Sequence, residues 1–319
     1  MSNWIVNFKE DKRVWDAFVR SSPQRSIFVQ SKFLDSLNAN YDLVTCYEKD
    51  KIVAGVVIIY GASGEPINST FPFTQYQGML LSDNSSREMH SQVTYEFKVV
   101  EFFINQLAKY FKKYCLCHSW RLRDLRPFQW LNFNEPSKGQ FRINLYYTAV
   151  LDLQKFENFG VYLSSVRTVR RQEFKKSSQI LKFQFSDDES LLDALHAKTF
   201  ERQNLERDIS DSLLLRSISK QAVAGEYGKM SIALLDDVPI SSVLFIYDDR
   251  ASYYLFGAND PAYRNTGSGT FLIMHMIKDA FDHGLKEIDF VGANSPNRGD
   301  FKISLNAALQ AYHVSTYRE

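Results

Sequence analysis

The order of β-hairpins and helices is repeated along this chain. A short polar turn joins two β-rich runs within 41–60, and a second such turn joins two more within 231–247. Each hairpin is followed by an extended segment, a helix by apolar spacing and a further strand. Because each half can form its own sheet and cover it with its own helices, we predict an α/β (α+β) chain. It has two tandem lobes, 1–149 and 150–319, each with a mixed sheet flanked by helices.

Composition excludes several classes of protein. The chain has 319 residues, of which 45% are hydrophobic, and its formal net charge is +1. There is ample apolar material for two cores, so intrinsic disorder is excluded. The balanced charge argues against a bulk polyanion binder. Three cysteines do not describe a disulfide framework, and the six histidines have no paired spacing, so we expect no metal.

The same survey bears on location. The first fifteen residues carry charges where a signal peptide has its apolar stretch. The longest apolar run is far shorter than the roughly 20 residues that cross a bilayer. We therefore expect a cytoplasmic protein without a membrane span.

Apolar spacing predicts further helices at 97–114, 161–178, 189–206 and 213–224. The helix at 161–178 is basic, and its helical spacing places four cations on one face: Arg167, Arg170, Arg171 and Lys175. Such a face could hold an anionic substrate tail, such as a nucleotide-sugar diphosphate, or a tRNA phosphate. A solvated helix surface is the alternative.

The motif Arg-Asn-Thr-Gly-Ser-Gly at 264–269 follows a predicted strand and begins a predicted helix at 268–282. Glycines at such a turn let the backbone approach a ligand, and the first amides of the helix point outward with the positive end of its dipole. Arg264 adds a cationic donor. The spacing matches neither a Walker loop nor a Rossmann turn. It predicts a diphosphate site, and the alternative is a turn that only connects strand to helix.

This loop resembles the acyl-CoA pyrophosphate loop of the GNAT acyltransferase superfamily. The rest of the chain resembles the FemABX-like branch, the peptidoglycan-bridge aminoacyltransferases and their acyltransferase relatives. The similar segments occur in the family's order: FVQS at 28–31, PFTQYQG at 72–78, YT and LDL within 147–153, the basic helix at 167–176, and IDF-x-G at 288–292 with FK at 301–302. The resemblance covers nearly the whole chain and implies two GNAT-like lobes, with the donor loop in the second.

The resemblance also implies roles for particular residues. The residues expected to bind the co-substrate, acyl-CoA and most simply acetyl-CoA, are Arg264, Gly267, Ser268 and Gly269. Those expected to contact the acceptor substrate are Phe301, Arg202, Tyr254, Tyr76, Arg167 and Arg170. For the two tyrosines, packing in a core is the alternative.

Two features separate this chain from the bridge enzymes. Those enzymes usually carry a lysine just after the N-terminal segment, where this chain has Leu37 and Asn38. This argues against a murein precursor as substrate. The clear Arg-x-x-Gly-x-Gly spacing favours acyl-CoA over aminoacyl-tRNA as the donor.

In GNAT-like enzymes a free amine attacks a thioester or ester carbonyl, so the amine must lose a proton and the carbonyl must be polarised. Asp289 lies on an apolar strand after the donor helix and is the candidate general base or orienter of the amine. A structural acid paired with a neighbour is the alternative. Lys302 is the candidate cation for a developing oxyanion or a substrate anion, and the alternative is a solvated lysine.

The sequence therefore predicts an N-acyltransferase that moves an acyl group, most simply acetyl, from acyl-CoA to a primary amine of a sugar or peptide precursor. The acceptor would be a small molecule, either free or linked to a nucleotide sugar, in cell-envelope or polysaccharide biosynthesis. One alternative is an aminoacyl-tRNA-dependent peptidoglycan-bridge enzyme. Another is a protein that binds an envelope intermediate without catalysis.

Overall fold

The structure, a computed structural model, describes residues 3–202 and 206–319, apart from the side chains of Arg202, Asn297 and Arg298. The strands within these ranges are β1 (Trp4–Asn7), β2 (Tyr41–Glu48), β3 (Lys51–Ile59), β4 (Leu80–Leu81), β5 (Lys113–Cys117), β6 (Gln140–Asp152), β7 (Lys182–Ser186), β8 (Gly228–Leu235), β9 (Val238–Tyr247), β10 (Ala251–Asn259), β11 (Glu287–Asp289) and β12 (Ala308–Arg318). The helices are α1 (Lys12–Ser21), α2 (Ser31–Leu34), α3 (Met89–Tyr110), α4 (Arg126–Trp130), α5 (Phe159–Ser165), α6 (Thr168–Ile180), α7 (Glu189–Arg202), α8 (Ile209–Ala224), α9 (Ser268–Asp282) and α10 (Pro296–Ile303).

The chain divides into two compact units. One contains the residues up to 146 together with 311–319, and the other contains 147–310. Each unit has strands flanked by helices, so the prediction of a mixed α/β chain is confirmed. The assignment of 1–149 and 150–319 to two lobes of one kind stays a prediction.

The first unit is built on an antiparallel sheet in the order β1-β2-β3-β4. Helix α3 covers this sheet through a buried face that includes Val99, Phe103 and Leu107. These residues belong to one core with Val44 and Val56 of the hairpin. The spacing of the apolar positions along α3 matches the helical period, which is why the helix can bury them on one side.

A buried histidine joins three segments of the first unit. His118 follows β5 and is 1% exposed, and its Nδ1 accepts a hydrogen bond of 3.2 Å from the amide of Met79. Its Nε2 therefore carries the proton and donates to the hydroxyl of Ser315, 2.9 Å away on β12. Gly78 is needed beside it, because a Cβ there would lie 2.6 Å from the ring nitrogen. This contact accounts for the glycine that ends the PFTQYQG segment.

The second unit has the strand order β6-β11-β10-β9-β8-β7, with β6 taking part through residues 147–152. Strands β10 and β11 are parallel, and the other neighbours are antiparallel. A parallel pair needs a crossover connection, which α9 supplies. The buried face of α9, including Phe271 and Ile277, shares a core with Phe245 on β9 and Ile288 on β11. On the other face of the sheet, Phe256 meets His196 of α7, with ring centroids 6.4 Å apart.

Two predicted helices begin at other residues in the structure. Helix α3 begins at Met89 instead of 97, and none of the side chains in its first two turns is fully buried. It ends at Tyr110, so 113–117 is strand. Helix α8 begins at Ile209 instead of 213, where the carboxylate of Asp208 accepts from the amide of Ser210 and caps it.

The basic helix predicted at 161–178 is two helices, α5 and α6. The chain is extended at Val166, whose side chain is buried, and at Arg167, which is the N-cap residue of α6. Burying Val166 in the core breaks the helical path. Arg167 consequently lies at the start of α6 and not on its face, so the predicted row of four cations on one helix is wrong at its first member.

The buried histidine predicts a pH dependence of stability. Burial, with a smaller contribution from His313, lowers the pKa of His118 from 6.5 to about 3. Between these two values the unfolded chain binds one proton more than the folded chain, so stability falls as the pH falls. Well below pH 6.5, we expect His118 to lower the free energy of unfolding by about 1.4 kcal/mol for each unit by which the pH falls.

Urea unfolding of the wild type and His118→Gln between pH 4 and 7 measures this. The variant should lose that part of the pH slope, whereas replacing the exposed His90 by Gln should leave the slope unchanged. Parallel slopes for wild type and His118→Gln would contradict the prediction.

Candidate functional site

The carboxyl ends of β10 and β11 form an opening in the second unit's sheet. The two strands pair only where Ala251–Tyr253 meets Glu287–Asp289, and β10 then continues to Asn259. A register shift between Tyr254 and Phe256 in the pairing with β9 marks a β-bulge. Beyond Tyr253, β10 has β9 on one side and, within the described ranges, no paired strand on the other. An extended ligand with amide groups can pair with such an edge.

The N-terminus of α9 lies directly after β10 and a short 3-10 turn, Pro261–Thr266. Gly267 occupies the N-cap position with a left-handed φ of +71°, and no side-chain hydrogen bond from this residue caps the helix. The first amides of an α-helix have no partner within the helix and attract anions. Arg264 lies exposed on the 3-10 turn just before them.

Two close contacts explain why glycines occupy this turn. A Cβ at Gly267 would lie 2.6 Å from the hydroxyl of Ser177 on α6, in addition to the cost of the left-handed backbone. A Cβ at Gly269 would lie 3.3 Å from the side-chain oxygen of Asn259, at the end of β10. The same oxygen accepts from Ser268 at 3.3 Å. The loop is therefore tied to the strand before it and to the helix α6.

Helix α6 brings distant parts of the sequence together. At its C-terminal end, Ser177 donates to the carbonyl of Thr266 at 2.7 Å. One turn earlier, the Oε2 atom of Glu173 accepts from the hydroxyl of Thr270 at 2.7 Å and from Arg170 at 2.5 Å.

At the other end of α6, Arg170 contacts α10 and the residue that follows it. Its Nε donates to the hydroxyl of Ser304 at 3.0 Å, and its guanidinium lies 4.8 Å from the ring centroid of Phe301. Arg167 pairs with Asp300 at 2.9 Å, with both side chains about half exposed. The structure thus connects the predicted donor loop to the predicted acceptor residues Phe301, Arg167 and Arg170 through one helix.

Asp289 ends β11 and is 2% exposed. Its Oδ1 accepts from the hydroxyl of Thr148 on β6 at 2.5 Å and from the amide of Val291 at 2.8 Å. These two hydrogen bonds hold the side chain and the following turn in one arrangement. The hydroxyl of Thr148, the threonine of the YT motif, is a buried partner of this acid.

Lys302 lies on α10 and is 8% exposed, so the alternative of a solvated lysine is wrong. Its ammonium donates to the carbonyls of Val291 and Gly292. Val291 has a φ of +49° and Gly292 one of +59°. A left-handed φ is rare for a β-branched residue and marks local strain. Asp289 and Lys302 therefore hold the same strained turn, Val291–Gly292, from its two sides.

The remaining predicted residues lie in different places. Tyr254 is partly buried with its ring centroid 5.2 Å from that of Phe245, and its hydroxyl lies where a Cβ at Gly257 would be. Tyr76 belongs to the first unit, is 3% exposed and packs against Phe28 and Tyr312. The side chain of Arg202 lies outside the described residues.

The polar side chains that sequence analysis missed around the donor loop are Ser177, Glu173, Thr270 and Asn259. Each is an ordinary polar residue whose role depends on which helix meets the loop. A partial signal was available, because the basic helix that carries Ser177 and Glu173 was already part of the resemblance.

The described part of the chain holds no cluster of three or more His, Cys, Asp or Glu side chains arranged to bind a metal ion. None of the helices in residues 3–202 and 206–319 combines the length and the apolar character that a membrane span requires.

Comparison with known proteins identifies the fold. Residues 164–302 match the family model of the acetyltransferase (GNAT) domain, which indicates a transferase. No curated protein matches the chain in sequence.

Solved structures match over nearly the whole chain. FemX is 13% identical, covers 97% of this chain and 96% of its own, and superposes with a TM-score of 0.66. The C-terminal domain of a putative lysylphosphatidylglycerol synthetase from Agrobacterium fabrum is 12% identical, with coverages of 96% and 90% and a TM-score of 0.56. A tandem GNAT protein from the clavulanic acid biosynthesis pathway is 10% identical, with coverages of 99% and 98% and a TM-score of 0.54. The chain has a GNAT/FemABX-like fold, as its sequence motifs predicted.

The hydrogen bond from Thr148 to the buried Asp289 predicts how loss of the threonine hydroxyl affects stability. Thr148→Val keeps the shape of the side chain but removes the hydroxyl, which leaves a buried carboxylate with one donor fewer. We expect a loss of about 1–3 kcal/mol in unfolding free energy at pH 7. Thr148→Ser, which keeps the hydroxyl, should cost less. Urea unfolding measures both, and a valine variant at least as stable as the serine variant would contradict the prediction.

Proposed function

We propose that this chain, which has a GNAT/FemABX-like fold, is an N-acyltransferase that takes an acyl group from acyl-CoA. The acyl group is most simply acetyl, and the acceptor is a primary amine of a sugar or peptide precursor in cell-envelope or polysaccharide biosynthesis. The observation that carries the proposal is the N-terminus of α9, where the N-cap residue Gly267 is left-handed and, as a glycine, has no side chain to cap the amides of the first turn. The match of 164–302 to the GNAT domain supports it.

The donor would bind along two neighbouring features. The diphosphate of CoA meets the first amides of α9, from Ser268 to Thr270, with the exposed Arg264 beside them. The amide groups of the pantetheine arm pair with the edge of β10 beyond Tyr253. Such an arrangement directs the thioester toward the carboxyl end of β11, where Asp289 and Lys302 hold their turn.

The reaction needs a neutral amine placed against a polarised carbonyl. The amine nitrogen attacks the thioester carbon and a C–N bond forms. The nitrogen then loses a proton, the C–S bond breaks, and the sulfur leaves as a thiolate that takes up a proton. In this proposal Asp289 orients the acceptor side through the turn that it holds. The ammonium of Lys302 supplies positive potential close to where charge develops. Phe301 and Arg170 line the acceptor side.

The FemABX-like resemblance favours a second candidate, in which the donor is an aminoacyl-tRNA and the same carbonyl chemistry acts on an ester. The donor experiment below separates the two, because only the first requires binding of CoA.

Replacing Gly267 tests the donor site. Gly267→Val forces a β-branched residue into a left-handed backbone and brings its Cβ against the hydroxyl of Ser177. We expect CoA binding, measured by calorimetry, to weaken by about tenfold or more, because the amides no longer converge on the diphosphate.

Gly284 supplies the matched control. It is also left-handed, with a φ of +67°, but it lies just after the C-terminal end of α9. A Cβ added at this position would have no neighbouring atom within 4 Å among the described residues. Gly284→Val should carry a similar backbone strain and bind CoA as the wild type does. Equal CoA affinity for all three proteins would contradict the placement of the diphosphate at Gly267. No CoA binding by the wild type would remove the acyl-CoA proposal in favour of the tRNA donor.

Lys302→Met tests the acceptor side. The change keeps the length of the side chain and removes its charge. We expect the kcat of acetyl transfer from acetyl-CoA to fall by about 10²-fold. The assay measures release of the CoA thiol with a panel of amino sugars and peptides as acceptors. The exposed Lys278 on α9, paired with Asp282, offers the control Lys278→Met, which should keep its turnover. Unchanged turnover for Lys302→Met would return Lys302 to a purely structural role.

A further inference from the structure

A carboxylate lies at the N-terminus of α9, where the proposed donor's diphosphate would bind. Glu173 reaches this end of the helix from α6 and accepts from the hydroxyl of Thr270, the third residue of α9, at 2.7 Å. The Cβ and Cγ atoms of Glu173 lie 3.5 and 3.8 Å from where a Cβ at Gly267 would stand. A negative side chain is stabilised at such a helix end, but it also occupies the potential that would attract an anionic ligand.

An arginine neutralises this carboxylate. Arg170 lies one turn before Glu173 on the same helix, and its Nη1 donates to the Oε2 atom that Thr270 also contacts, at 2.5 Å. Both side chains are partly buried, at 20% and 34% exposure, so salt screens their interaction less than it screens an exposed pair. Without the guanidinium, a diphosphate approaching α9 would meet an unpaired like charge.

Other contacts hold the guanidinium in place. Its Nε donates to the hydroxyl of Ser304 at 3.0 Å, and its plane lies 4.8 Å from the ring centroid of Phe301. The guanidinium would lose its contacts with Ser304 and Phe301 if it turned toward another anion. Its charge is therefore directed to Glu173.

We propose that Arg170 is a positioning residue for the donor site: by pairing with Glu173 it neutralises a carboxylate that would otherwise repel the donor's diphosphate from the N-terminus of α9. The inference rests on the proposed function, because it takes the donor to be a CoA thioester. It assigns to Arg170 a role toward the donor in addition to the acceptor contact that the sequence predicted.

The test measures CoA affinity by calorimetry for the wild type, Arg170→Met, Glu173→Gln and the double variant, with a thermal melt to show that each is folded. At about 0.05 M salt, Arg170→Met should bind CoA about tenfold more weakly. Adding Glu173→Gln should restore affinity to within about twofold of wild type, because the repelling charge is gone. The deficit of Arg170→Met should shrink at roughly 0.5 M salt.

Arg171 supplies the matched control. It is the next residue on α6, is exposed, and donates to the hydroxyl of Thr168. Arg171→Met removes the same charge from the same helix and should bind CoA as the wild type does.

The outcomes are distinguishable. If Arg170→Met binds as tightly as wild type, the inference is wrong. If the double variant stays as weak as Arg170→Met, the loss comes from the missing contacts to Phe301 and Ser304, which both variants lack, and the inference is again wrong. A wild type that does not bind CoA overturns the proposed donor itself, and the inference with it.

Discussion

The packing of α9 against the sheet of the second unit determines where its chemistry can occur. The helix buries nine of its fifteen residues, and each fully buried large apolar side chain contributes about 1.5–3 kcal/mol. This burial fixes the helix as the crossover between β10 and β11. Its N-terminus must then lie at the carboxyl end of β10, next to an edge that β11 pairs for only three residues. The proposed site for an extended anionic donor rests on these two facts, because a helix end attracts an anion and a strand edge can pair with amide groups.

Two left-handed backbone positions lie at the ends of this arrangement, and the second of them is strained. Gly267 adopts a left-handed conformation at the start of α9, where Ser177 leaves no room for a side chain. Val291 adopts one just after β11, although a β-branched residue resists it. The turn at Val291 is held by Asp289 on one side and Lys302 on the other. Strain of this kind persists only where surrounding contacts over-determine the backbone, and such places are frequently functional.

Helix α6 connects the two ends. Its C-terminal part contacts the loop before α9 through Ser177 and Glu173, and Arg170 contacts Phe301 and Ser304 in and just after α10. A change at one end of α6 therefore has a direct path of hydrogen bonds to the other. In the proposed N-acyltransferase, donor and acceptor contacts would therefore lie on one rigid element. Rigid elements hold reacting groups more accurately than loops do.

The sequence by itself determined the mixed α/β class and the two hairpins, because strand alternation and helical spacing are local signals. It also determined the glycine-rich turn before α9, since only glycine fits a left-handed position that a neighbour crowds. Helix bounds were missed where apolar side chains are sparse and not buried, as in the first turns of α3, or where the extended backbone at Val166 interrupts otherwise helical sequence. Only the tertiary structure decided that Lys302 is buried on two carbonyls, that Thr148 is a partner of Asp289, and that Glu173 reaches Thr270 at the start of α9. These contacts join residues 10 to 141 positions apart, or depend on which helix meets which loop. No local pattern can encode them, because they exist only after the cores have packed.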